Sequence, residues 1–112
     1  MNPATVPDIT PTELKARLDK GDVPTLVDVR EAFEVEIADL PDHGQVLIPT
    51  GQFFTRADEL DAEQEIVVYC RTGNRSEWAA RILMERGFKQ VWNLKGGVMA
   101  WREEVDPSLQ RY

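Results

Sequence analysis

One cysteine and one histidine stand in 112 residues. A lone cysteine closes no internal disulfide, so a reducing compartment, by default the cytoplasm, is the expectation. The single histidine, His43, has no paired base and no partner at metal-ligand spacing, which leaves neither a metal motif nor a histidine-based triad. No apolar run approaches the roughly 20 residues of a membrane span, so no membrane partner is expected. The first residues, Met1 to Asp8, lack the basic and apolar blocks of a secretory signal. Lysine and arginine number 13 against 20 acidic residues, a net charge of −7, and no sustained basic face emerges. Nucleic acid is therefore not an expected partner. Internal repeats and low-complexity segments are also missing.

What is present suits one small domain across residues 1–112, with a core over about 8–105 and a tail from 106 to 112. Hydrophobic residues make up 42%, enough for a core at this length. Thr10-Pro11-Thr12-Glu13 is a capping box with proline at the first helical position, and the helix it opens ends by Gly21. Thr25 to Val29 reads as a strand buried on both sides. Glu31 to Ile37 reads as a short helix, Val46-Leu47-Ile48 as a small strand within an irregular stretch, and Phe53 to Leu60 as a further helix. Glu65 to Tyr69 is the central strand, Glu77 to Arg86 a helix, Val91 to Leu94 the last strand and Val98 to Val105 the closing helix. Strands alternating with helices imply an α/β fold: a small, mostly parallel sheet with helices on both faces. In such sheets ligands bind beyond the carboxyl ends of the strands.

The only cysteine falls there. It opens Cys70-Arg71-Thr72-Gly73-Asn74-Arg75-Ser76, a polar loop between a strand and a helix. Backbone N–H groups of such a loop, a helix N-terminus aimed at it and two flanking arginines all favour an anion. Cys70 reads as a nucleophile. Its plain alternative, a small buried hydrophobe after a strand, does not account for the arginines and glycine around it. Gly73 suits a positive φ that lets successive N–H groups converge. Arg71 and Arg75 either face an anionic substrate or serve structure, by capping carbonyls or pairing with Asp28 or Glu77.

Three motifs carry a resemblance to the rhodanese (sulfurtransferase) family. They are the Cys70 loop, Leu26-Val27-Asp28-Val29-Arg30-Glu31 and Asn93-Leu94-Lys95-Gly96-Gly97-Val98-Met99-Ala100-Trp101, in the family's order over residues 10 to 105. The resemblance implies a rhodanese-like fold and a catalytic Cys70 that carries a persulfide. Arg71, Thr72, Gly73, Asn74, Arg75 and Ser76 would hold the substrate and the persulfide, while Asp28 and Arg30 would position the loop. It further implies a thiosulfate-like anionic donor, ping-pong transfer to cyanide, a thiol or a carrier protein, and no need for a metal or organic cofactor. The spacing Cys-x4-Arg is one residue shorter than the Cys-x5-Arg of cysteine phosphatases, which favours sulfur over a phosphatase or arsenate reductase. A binding or redox-sensing module without turnover is the third alternative.

Val35-Glu36-Ile37, Val46-Leu47-Ile48-Pro49 and the stretch from Asn93 to Tyr112 resemble the rhodanese domain of E1-like adenylyltransferases that sulfurate small carrier proteins in molybdopterin and thiamin pathways. A sulfur-carrier protein or a cysteine desulfurase is the protein partner so implied. The segment Ala38-Asp39-Leu40-Pro41-Asp42-His43-Gly44-Gln45 departs from the family pattern by two extra residues and bears on the pocket rim. Trp78 either walls the pocket or packs elsewhere, Gly96-Gly97 suits a tight turn, and Trp101 suits the core.

Overall fold

The computed structural model describes residues 5–112. The elements are β1 (Asp8–Ile9), α1 (Pro11–Asp19), β2 (Thr25–Asp28), α2 (Ala32–Ile37), β3 (Val46–Leu47), α3 (Thr50–Arg56), a 3-10 turn (Ala57–Glu59), β4 (Glu65–Tyr69), α4 (Asn74–Glu85), β5 (Gln90–Leu94) and α5 (Gly97–Glu104). The strands form one sheet in the order β1-β5-β4-β2-β3. All its pairings are parallel. The expected α/β architecture is therefore present, with β4 in the middle and the end of β4 pointing into the Cys70 loop.

Strand alternation sorts the core into two layers. Ile66 and Val68 face the same side as Cys70, against Ala79, Ala80 and Leu83 of α4 and Phe53 of α3. Val67 and Tyr69 face the other side, with Leu14 and Leu18 of α1 and Val98 and Trp101 of α5. Trp101 is fully buried, as expected. Asp28 lies in register with Tyr69. Sheet parity thus puts Asp28 and Cys70 on opposite sides of the sheet.

Several boundaries differ from the sequence reading for physical reasons. The capping box forms as read: Thr10 Oγ1 accepts from Glu13 N at 3.1 Å and Glu13 Oε1 accepts from Thr10 N at 2.9 Å. β1 was not expected, because two residues carry no periodicity; it exists through pairing with β5. The helix expected from Phe53 starts at Thr50, capped by Pro49, and tightens into the 3-10 turn after Arg56. α4 begins at Asn74, inside the stretch read as loop, because Gly73 at φ 104° is its N-cap. Arg75 and Ser76 are thus first-turn helical residues. The tail folds back: Leu109 and Tyr112 pack on the α1/α5 side of the core, and Arg102 Nε donates to Leu109 O at 2.7 Å.

Candidate active site

Cys70 follows β4 directly and is 1% exposed. Its Sγ accepts hydrogen bonds from Gly73 N at 3.1 Å and Ser76 N at 3.4 Å. Ser76 is the third residue of α4, and its N–H is one of the helix's first-turn donors that have no intrahelical acceptor. The sulfur therefore occupies the place where a helix N-terminus offers free N–H groups to an anion. Ser76 Oγ lies 3.3 Å from Sγ and 2.5 Å from Asn93 Oδ1, and Asn93 Nδ2 donates to Gly73 O at 3.1 Å. Asn93, buried on β5, thereby fastens both ends of the cradle. Gly73 has the positive φ expected of it.

The other wall of the loop is α5. Val98 N donates to Cys70 O at 2.9 Å and Met99 N to Arg71 O at 3.0 Å. In a trans peptide the N–H points opposite to its carbonyl, so these bonds direct the N–H groups of Arg71 and Thr72 away from α5. Gly97 makes the approach feasible: a Cβ there would lie 2.4 Å from Cys70 O and 2.6 Å from Arg71 O. Gly96-Gly97 is thus more than a tight turn. It is where the last helix touches the loop backbone.

The two arginines part ways. Arg75 Nη1 and Nη2 form a bidentate pair with Glu34 at 2.8 and 2.9 Å. Its partner is therefore neither Asp28, which pairs with Arg30, nor Glu77, which pairs with Arg81. Glu34 also accepts from Glu31 N at 2.8 Å and from Tyr112 Oη at 3.0 Å. The Arg75 guanidinium holds the Glu34 carboxyl well below its ordinary value, at about 2. Arg71 is exposed; its guanidinium lies over the ring of Tyr112, the last residue of the sequence, and donates to a terminal carboxylate oxygen of that residue. Thr72 and Asn74 are exposed at the loop mouth.

Asp28 and Arg30 are buried and paired, Nη2 to Oδ2 at 2.8 Å. Arg30 also donates to Ala38 O at 2.7 Å, Asp39 Oδ1 at 3.0 Å and Tyr112 Oη at 2.9 Å. Their link to the loop runs through Tyr112 and Glu34 to Arg75. The divergent segment 38–45 joins this network at Asp39, which also accepts from Tyr69 Oη at 2.7 Å. Burial pushes the Asp39 carboxyl up, and burial does the same to the Tyr69 phenol. Trp78 is exposed, tilts against Phe53 with ring centroids 6.3 Å apart, and borders an open cleft of about 470 Å³ with Thr50, Gly51, Asn74 and Arg75. His43 is exposed on the divergent segment.

A family model described as a rhodanese-like domain matches residues 10–104. The chain belongs to the rhodanese-like domain family. This rhodanese-like domain is 39% identical to YrkF of Bacillus subtilis, a protein named as a sulfur carrier, over 94% of the chain and 56% of YrkF. It is 35% identical to a protein named sulfurtransferase from Allochromatium vinosum, over 86% of the chain and 88% of that protein. It is also 35% identical to the maize adenylyltransferase and sulfurtransferase MOCS3-2, over 93% of the chain but 23% of that protein. The chain thus spans about half or less of several of the curated relatives it matches. Among solved structures, a rhodanese-like domain protein from Staphylococcus aureus superposes with a TM-score of 0.78 at 26% identity, covering 96% of this chain and 99% of that one.

Three residues of the rhodanese-like domain's site were not found from sequence. Glu34 reads locally as an ordinary acidic first-turn residue, and nothing nearby signals a partner 41 positions away. Asn93 did carry a signal, since a polar side chain inside an apolar strand requires a partner when buried. Tyr112 carried none. Among the described residues no buried side-chain polar atom lacks a hydrogen bond.

Proposed function

We propose that this rhodanese-like domain is a sulfurtransferase in which Cys70 accepts sulfane sulfur as a persulfide. The carrying observation is the cradle itself: Cys70 Sγ accepts two backbone N–H bonds at 3.1 and 3.4 Å where a twelve-residue helix begins. With thiosulfate as donor, the Cys70 thiolate attacks the outer sulfur. A new S–S bond forms, the S–S bond of thiosulfate breaks, and sulfite leaves with the electron pair. The persulfide keeps one negative charge on its terminal sulfur, and the cradle that held the thiolate is suited to hold that charge. A thiophilic acceptor (cyanide, a small thiol or a carrier protein) then attacks the terminal sulfur and restores the thiolate.

The sulfur-carrier and adenylyltransferase names among the relatives favour a sulfur-transfer protein on one side of this exchange; a cysteine desulfurase would serve as a protein donor by the same chemistry, and the cytoplasm suits a site that depends on a reduced thiol. Intact-protein mass spectrometry after brief exposure to thiosulfate tests the reading. One added sulfur atom, removed by cyanide with release of thiocyanate and absent from Cys70→Ser, is the expected result. An adduct retained in Cys70→Ser would refute the assignment of the site. No adduct on a reduced, alkylatable Cys70 would exclude thiosulfate as the donor.

A further inference from the structure

Asn93 decides which way the Ser76 hydroxyl points. Gly73 O is a carbonyl that can only accept, and it takes Glu77 N at 3.1 Å and Asn93 Nδ2 at 3.1 Å. Reversing the Asn93 amide would set its oxygen against that carbonyl, so Oδ1 is the atom that faces Ser76. Oδ1 also only accepts, and it lies 2.5 Å from Ser76 Oγ. The single hydroxyl proton of Ser76 is therefore committed to Asn93. What Oγ presents to Cys70 Sγ, 3.3 Å away, is a lone pair. Ser76 and Asn93 are both buried, which keeps bulk water from competing for these bonds.

A lone pair suits the thiol: S–H donates to Ser76 Oγ while Sγ accepts from Gly73 N and Ser76 N. It does not suit the thiolate, which has no proton to give and meets oxygen lone pairs on that side. We infer that Asn93 is a positioning residue that keeps the Ser76 hydroxyl proton away from Cys70. The ionised sulfur is then held by two N–H groups and denied a third donor, so it stays a strong nucleophile toward an incoming sulfur. A further donor would stabilise the thiolate and blunt its attack, because less basic thiolates attack more slowly. After transfer Sγ becomes a neutral bridging atom and the charge sits on the terminal sulfur, so the lone pair no longer opposes it. The inference rests on the proposed function, in which Cys70 is the attacking group, but its test requires no sulfur transfer.

Cys70 is the only cysteine, so alkylation by iodoacetamide reports it alone. The thiolate displaces iodide, an S–C bond forming as the C–I bond breaks, and the rate rises with pH as the thiol ionises. Asn93→Leu removes the acceptor and frees the Ser76 hydroxyl to turn to Sγ, while Gly73 O keeps its bond from Glu77 N. The profile should then move to lower pH by about one unit, and its plateau should fall about three-fold. Were Asn93 only a fastener, its loss would loosen the loop, weaken the N–H bonds to Sγ and move the profile to higher pH. A shift upward, or no shift, would overturn the proposal. Ser76→Ala leaves Asn93 no hydroxyl to aim, so adding Asn93→Leu should leave the profile where Ser76→Ala alone puts it. A second shift as large as that in the single Asn93 variant would also overturn it. The charged pairs around the loop, Arg71 with the Tyr112 carboxylate, Arg75 with Glu34 and Glu77 with Arg81, are the same in every variant. Should Asn93→Leu fail to fold, the infrared S–H stretching band of the one cysteine gives the answer. A donating S–H absorbs at lower frequency than a free one, so Ser76→Ala should raise the band, and a band that does not move would overturn the proposal. A missing persulfide adduct on a protein that behaves as stated in these tests would refute the sulfurtransferase reading alone.

Discussion

At the scale of single residues, Glu34 connects stability to the site. Its carboxylate accepts from both Arg75 nitrogens, from Tyr112 and from Glu31 N. Its value falls from 4.5 to about 2, chiefly through Arg75. A depressed folded-state value means that the contribution is complete above about pH 4.5 and disappears as pH falls toward 2. Glu34→Gln should therefore destabilise the protein by about 1–2 kcal/mol at neutral pH, between the values for an exposed and a fully buried pair because Arg75 is one-third exposed. Chemical denaturation across pH would show the gap between parent and variant closing below pH 4.5. Asp39 shifts the other way, but it does so in both proteins and drops out of the difference. A gap that persists at pH 2 would show that the Glu34 charge is not what stabilises the fold.

At the scale of elements, the docking of α5 on the Cys70 loop is the contact most open to test. Gly97 has φ +61° and a Cβ there would collide with the carbonyl oxygens of Cys70 and Arg71, whereas Gly21 has φ +77° and nothing within 4 Å. Alanine at either position meets the left-handed backbone cost of about 1–2 kcal/mol. Only Gly97→Ala should also push α5 off the loop. Its Tm should fall by several degrees more than that of Gly21→Ala, and its sulfur-transfer rate should drop while that of Gly21→Ala holds. Equal effects in both variants would mean that α5 yields without disturbing the loop. Sequence spacing revealed each helix and strand here except β1, but not that the last helix supplies the hydrogen bonds that turn the loop peptides.

At the scale of the whole molecule, stability should be graded from the centre of the sheet to its edges. β4 is paired on both sides, by β2 and β5, and Ile66 to Tyr69 are fully buried. β1 and β3 are two-residue edge strands. Local opening is easiest where few bonds and little apolar burial must be given up. Hydrogen exchange should therefore proceed first in segments 8–9 and 46–47 and last in 65–69. Uniform exchange across the sheet would indicate a single cooperative opening and no such grading. The layout is also compatible with the proposed anion-accepting role of the loop in a protein of net charge −7: first-turn N–H groups act over a few ångströms, whereas surface carboxylates are screened beyond about a Debye length.

The Cys70 loop and the α/β order of elements were legible in the sequence because each is local. A cysteine in a polar loop between a strand and a helix, and a period of two giving way to a period of 3.6, need no knowledge of distant chain. What the tertiary structure alone decided is which partner each polar group takes. Arg75 turns to Glu34, Arg71 to Tyr112, Ser76 to Asn93, and the carbonyls of Cys70 and Arg71 to α5. These pairings join segments that are far apart in the chain, and they follow from burial: once folding withdraws a polar group from water, it must take whichever partner the packing places beside it.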